Sequence, residues 1–242
     1  MADSSNWTSI ATAARVAEAS RLMLVEHSLG DLKSGELDLF FTAIIIEEQS
    51  TDPVFSRSQL RKQPMTRRKD RQTLTRLLNS LLERGLFQRP RSSKMNSYRL
   101  SQRVLDLKQF VGRGARERPG PAAGVWQSLL TMAYLYQASE TMDYTQILGP
   151  LTNTEKDVLY AFVLVIDTED KTSATTGEVK NTALLANTGN ATLTRALKSL
   201  VDKELIQLVP GQRAKHYQLG RRVVEVMQRR SSRSGLFRQE QS

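Results

Sequence analysis

The chain contains no cysteine and only two histidines, His27 and His216. Disulfides, thiolate metal ligands and a thiol nucleophile are therefore excluded. The two histidines fall in unrelated contexts, which argues against a metal pair or a catalytic triad, and His216 beside Tyr217 reads as a phosphate or solvent contact. No apolar run approaches the roughly 18 residues that a membrane span needs. The run from Leu39 to Ile46 is ended by Glu47-Glu48, carboxylates that read as structural. Met1 to Asn6 lack a charged n-region and an apolar h-region, so no secretion signal is expected. A P-loop, a dinucleotide fingerprint and a carboxylate cluster at metal spacing are missing as well. No catalytic residue, no metal and no cofactor are therefore expected, and no membrane partner.

What the chain has in excess is positive charge. Across 242 residues there are 35 Lys and Arg against 25 Asp and Glu, a net charge of +10. Such a balance points to a polyanionic partner, although charge alone does not separate nucleic acid from an anionic membrane. The length accommodates two domains.

The chain also repeats itself. Leu74 to Leu107 aligns without a gap on Leu193 to Val226, displaced by 119 positions, with 12 of 34 residues identical. Average composition gives about two identities by chance. The register continues upstream, where Glu36-Leu37-Asp38 falls on Glu155-Lys156-Asp157 and the two tryptophans, Trp7 and Trp126, coincide. This reads as a tandem duplication: a first domain over 7–111, a linker over 112–124, a second domain over 125–230 and a disordered basic tail over 231–242.

Within each copy, periodicity gives the plan. Leu193, Leu197, Leu200 and Val201 form one apolar face of a helix spanning Asn190 to Lys203, with Thr192, Thr194, Arg195 and Lys198 on the other face. Its counterpart runs from Arg71 to Arg84, with Gly85 at its C-cap and Glu204 in the matching position of the second copy. Strands are expected at Phe87 to Arg89 and Tyr98 to Leu100, and at Leu205 to Val209 and Tyr217 to Leu219, the last pair around a basic loop from Gln212 to His216. Upstream come helices at Ser9 to Glu26 and Glu36 to Glu48, a short strand at Val54 to Ser56, and a helix from Met65 to about Lys69 that uses Pro64 in its first turn. The second copy predicts helices at Val125 to Ser139, Thr154 to Asp167 and Thr182 to Ala186, with a Thr152–Glu155 capping box. Closing helices are expected at Gln102 to Val111 and Arg221 to Arg230.

This order, with Leu-Thr-Arg in each outer helix and Tyr-x-Leu in each returning strand, resembles the winged-helix domain and, more narrowly, MarR-type regulators. The resemblance covers about 200 residues. It implies a mainly α fold with small β-hairpin wings, two tandemly duplicated winged-helix domains forming a pseudo-dimer. There are departures: no Asp-x-Arg precedes the second wing strand, and two units are fused where that family pairs two chains. The family's terminal helices form its dimer interface, so the resemblance implies that Trp7 and Trp126 lie near a pseudo-twofold contact.

In the first copy the expected DNA contacts are Arg67, Arg68, Lys69, Arg71, Thr73, Thr75 and Arg76, with Arg91 and Lys94 in the wing. In the second they are Asn187, Asn190, Thr192, Thr194, Arg195 and Lys198, with Arg213, Lys215 and His216 in the wing. The first copy is the more basic: Glu36 to Leu107 carries 14 Lys and Arg against eight Asp and Glu, whereas Glu155 to Val226 carries ten against nine. The expected function is sequence-specific double-stranded DNA binding by a non-enzymatic cytoplasmic or nucleoid-associated transcription regulator. A replication initiator or partition factor of a mobile element, and a winged-helix adaptor subunit of a chromosome-organising complex, are the alternatives. A further homodimer or a protein partner is compatible with either.

Overall fold

The computed structural model describes residues 5–51, 54–90, 97–109, 121–140, 148–211 and 215–223, with side chains from Ile10 onward except at 109 and 121–123. The protein is mainly helical and carries two small three-stranded antiparallel sheets. Among the described residues, no helix is long and apolar enough to cross a membrane.

The chain divides into two compact units. One is continuous, Leu22–Thr141. The other is discontinuous, Met1–Arg21 together with Met142–Ser242. The boundaries 7–111 and 125–230 follow the sequence repeat; the units follow the contacts, and the two divisions differ by a helix at each start. The linker range 112–124 ends in helix, since Pro121 to Gly124 are its first turn, a position where the missing proline N–H costs nothing. The tail over 231–242 lies outside the described residues.

The continuous unit contains the last residues of α1 (Ser5–Glu26), then α2 (Ser34–Gln49), β1 (Phe55–Ser56), α3 (Arg57–Leu60), α4 (Arg71–Glu83), β2 (Phe87–Gln88), β3 (Ser97–Leu100), α5 (Gln102–Gln109) and α6 (Pro121–Glu140). Its sheet runs β1-β3-β2, pairing Phe55 with Tyr98 and Phe87 with Leu100. α2 is buried along nearly its whole length and packs against α4 and α6. Tyr136 of α6 donates to Asp38 at 3.1 Å and lies 5.3 Å from the Phe41 ring. Trp126 is buried, its indole N–H donates to Glu48 at 3.2 Å, and Lys108 lies over its ring. The side chain of Trp7 lies outside the described residues.

The discontinuous unit contains Ser5 to Arg21 of α1, α7 (Asn153–Glu169), β4 (Ser173–Thr175), α8 (Thr176–Lys180), a 3-10 turn (Ala183–Leu185), α9 (Asn190–Asp202), β5 (Ile206–Val209) and β6 (His216–Leu219). Strand order is again outer-central-outer, β4-β6-β5, with Ala174 opposite Tyr217. α1 is joined to this unit by a buried ion pair, Arg21 to Asp157 at 2.8 Å, and by hydrogen bonds from Arg21 to the Leu184 carbonyl and from Arg15 to Asp167.

Two expected helices move. Met65 to Lys69 is a series of turns, and the helix lies earlier, at Arg57–Leu60. Ser56 and Gln59 close a reciprocal cap there, satisfying two otherwise unpaired N–H groups, a stronger local start than Pro64 supplies. Thr175 and Glu178 do the same for α8, so the expected helix at Thr182 to Ala186 is reduced to one 3-10 turn. The Thr152–Glu155 box at α7 forms as expected. His216 belongs to β6, paired opposite Val209 and Thr175, and not to the preceding loop.

Candidate nucleic-acid interface

α4 begins at Asp70, whose carboxylate accepts from the Thr73 N–H at 2.7 Å and from the Thr73 hydroxyl at 2.9 Å. These bonds hold the Asp70 carboxyl below the usual carboxylate range. Leu74, Leu77, Leu78 and Leu81 are buried, so the helix rotation is fixed and Gln72, Arg76, Asn79 and Glu83 are turned outward. A shallow groove runs along this face, lined by Gln72, Thr75, Arg76, Asn79, Ser80 and Glu83. The helix ends in a Schellman-type turn, with Leu86 N–H donating to the Leu81 carbonyl and Gly85 at φ +65°.

Arg67, Arg68, Arg71 and Arg76 are exposed, and no carboxylate among the described residues neutralises them. They concentrate at the start and along the outside of α4. Lys69 is different: its ammonium lies 2.6 Å from Asp38, with only 11% of the side chain exposed, so it ties the segment before α4 to α2. Thr73 is occupied in the helix cap. Thr75 donates to the Arg71 carbonyl at 2.8 Å and accepts from Arg57 at 3.0 Å, which leaves its hydroxyl engaged. Arg91 and Lys94 lie outside the described residues.

α9 shows the same division of faces. Leu193, Ala196, Leu197 and Leu200 are buried; Asn190, Ala191, Thr194, Arg195, Lys198 and Asp202 are exposed, and Thr192 is half-buried. Its N-cap is Gly189, with no side chain over the first N–H groups. Asn190 accepts from Lys180, and Arg195 Nε donates to the Ala191 carbonyl at 3.3 Å. Asn187 is exposed just before the helix. Lys215 is exposed at the loop end of the β5–β6 hairpin, and His216 is half-buried with Nδ1 enclosed and without a partner among the described residues. Arg213 lies outside the described residues.

Each outer helix is anchored through one glutamate. Glu36 accepts from Ser80 and is paired with Arg84 at 3.3 Å. Glu155 accepts from Ser199, and from Lys203 at 2.8 Å. Burial pushes the Glu155 carboxyl up, but Lys203, Ser199 and Thr152 outweigh it and hold it at about 2.

Three further residues, Gln72, Asn79 and Lys180, share these surfaces. Gln72 and Asn79 were readable from the 3.6-residue period, being complementary to the buried leucines of α4. Lys180 reaches Asn190 across ten residues of chain, a contact no local pattern reports. What α4 offers chemically is a row of hydrogen-bonding and cationic groups ending in Glu83, with arginines beside it that have no acidic partner among the described residues. Comparison with protein-family models, with curated proteins and with solved structures gives no match.

Proposed function

We propose that the chain is a non-enzymatic, sequence-specific double-stranded DNA-binding protein, a transcription regulator made of two fused winged-helix copies that resemble MarR-type units. The supporting architecture is the order helix, strand, short helix, outer helix and hairpin, found in both units with the same strand order. In this reading α4 and α9 are recognition helices and the β2–β3 and β5–β6 hairpins are wings.

The observation that carries the proposal is the group Arg67, Arg68, Arg71 and Arg76, exposed at or just before one helix and lacking acidic partners among the described residues. A basic cluster is most often only a solvated face. Here it borders an outward helical row that bears Gln72 and Asn79, side chains that suit base edges better than bulk water requires. Thr73, Thr75 and Lys69 are assigned to holding the helix, and the contact set in this unit becomes Arg67, Arg68, Arg71, Gln72, Arg76 and Asn79. The continuous unit holds 19 Lys and Arg against 12 Asp and Glu, net +7, and the discontinuous unit 16 against 13, net +3. Most of the electrostatic affinity is therefore assigned to the continuous unit.

Binding of a labelled random duplex, followed by fluorescence anisotropy against salt, tests this. The double variant Arg68→Glu, Arg71→Glu is expected to weaken binding at least about 100-fold at low salt and to flatten the dependence on log salt by about two, roughly one per lost phosphate contact. Full retention of affinity by that variant overturns the proposal.

A further inference from the structure

Resting on that DNA-binding reading, we infer that the two outer helices read unlike half-sites that share a guanine, with Gln72 and Asn79 specifying adenines in one half only. The row on α4 is Gln72, Arg76, Asn79 and Glu83, at spacings of four, three and four residues; all four are exposed. Such spacings keep a row on one side of the helix. From Gln72 to Asn79 the row rises about 10 Å at 1.5 Å per residue, close to the height of three base-pair steps. The corresponding exposed row on α9 is Ala191, Arg195, Lys198 and Asp202.

One member is common to both rows, Arg76 and Arg195. Arginine pairs in bidentate fashion with guanine O6 and N7. The Arg76 side chain makes no ion pair or hydrogen bond among the described residues, and the exposed Arg195 side chain is held there only through Nε, so its terminal nitrogens are not engaged by those residues. The neighbouring positions differ in kind. Gln72 and Asn79 each present an amide, whose donor and acceptor match adenine N6 and N7. Ala191 presents a methyl group suited to a thymine methyl, and Lys198 a point charge suited to guanine or phosphate. Glu83 and Asp202 end both rows with a carboxylate, which phosphate would repel. Thr73 and Thr75 are excluded as readers because their hydroxyls are already bonded within the protein.

The test is enrichment of bound sequences from a random duplex pool by the intact chain, and by its Gln72→Ala and Ala191→Gln variants. Both changes lie on exposed positions, and thermal unfolding checks that the fold is retained. The wild-type chain is expected to enrich two unlike halves, each with a guanine. Gln72→Ala is expected to reduce the adenine preference in one half by roughly 5- to 150-fold, the range for one bidentate base contact, and to leave the other half unchanged. Ala191→Gln is expected to create an adenine preference in the second half. Identical halves, or an unchanged preference in Gln72→Ala with binding intact, overturn this inference and leave the DNA-binding reading standing. A wild-type chain that binds no duplex at low ionic strength overturns the reading beneath it.

Discussion

Glu155 is 5% exposed and accepts from the Thr152 N–H, from Ser199 and from Lys203. With its carboxyl held at about 2 in the folded protein against an ordinary value of 4.5, the charged form is the one the fold stabilises. That contribution is complete above about pH 4.5 and is lost as pH falls through about 2. Glu155→Gln is expected to cost about 2 kcal/mol at pH 7, in the range for a bond to a charged group. Urea unfolding at pH 7, 4 and 2.5 checks the sign, because the gap between variant and wild type is expected to close towards the acid end. A gap constant across that range would remove the charge argument. Glu178 is also drawn to about 2, by Lys171 and by Thr175, but its side chain is 33% exposed and water screens the pair. Glu47 moves the other way, since burial favours its neutral form and Lys108 offsets only part of that.

At the scale of elements, the ends of α4 and α9 solve one problem with different residues. Both close with a six-to-one backbone bond, Leu86 to Leu81 and Leu205 to Leu200, and both need the next residue in the left-handed region. Gly85 meets that need without strain at φ +65°, whereas Glu204 takes φ +58° with a Cβ in place. Glu204→Gly is therefore expected to stabilise the discontinuous unit by about 1 kcal/mol, seen as a higher urea midpoint with unchanged slope. Gly220 has the opposite character: a Cβ there would lie 2.1 Å from the Glu204 carbonyl oxygen, and Gly220→Ala is expected to lower the midpoint. A neutral result for Gly220→Ala would mean that the hairpin shifts freely against the helix end. These turns, the amphipathic outer helices and the Tyr98 and Tyr217 strands were legible, because each is set by residues close together in the chain. The short α3 lies before the segment that Pro64 marks, because the Ser56–Gln59 reciprocal cap starts it, and α8 lies before Thr182, because the Thr175–Glu178 cap starts it. In the candidate site, Arg71 and Arg76 were legible as exposed cations. Lys69 was not, because its partner Asp38 is brought to it only by packing of α2.

For the whole chain, the repeat and the compact units disagree about one helix each, and the disagreement has a physical cause. A sequence repeat records which segments resemble each other; burial decides which segments stand together. α6 opens the second repeat, yet it packs against α2 and α5 of the continuous unit. Its Tyr136 is fully buried and hydrogen-bonded to Asp38, and its Trp126 is bonded to Glu48 beneath Lys108. Removing α6 leaves the buried Asp38 carboxylate short of a donor and Phe41 without the Tyr136 ring that packs on it, and each such loss costs about 1–3 kcal/mol. With total stability of only about 5–15 kcal/mol for a domain of this size, a few losses of that kind are decisive. A fragment spanning 22–141 is therefore expected to unfold cooperatively in urea, and a fragment spanning 7–111, which follows the repeat and lacks α6, is expected to show no cooperative transition. Equal cooperativity in both fragments would show that α6 is dispensable to the continuous unit, and that the repeat boundary is also a folding boundary.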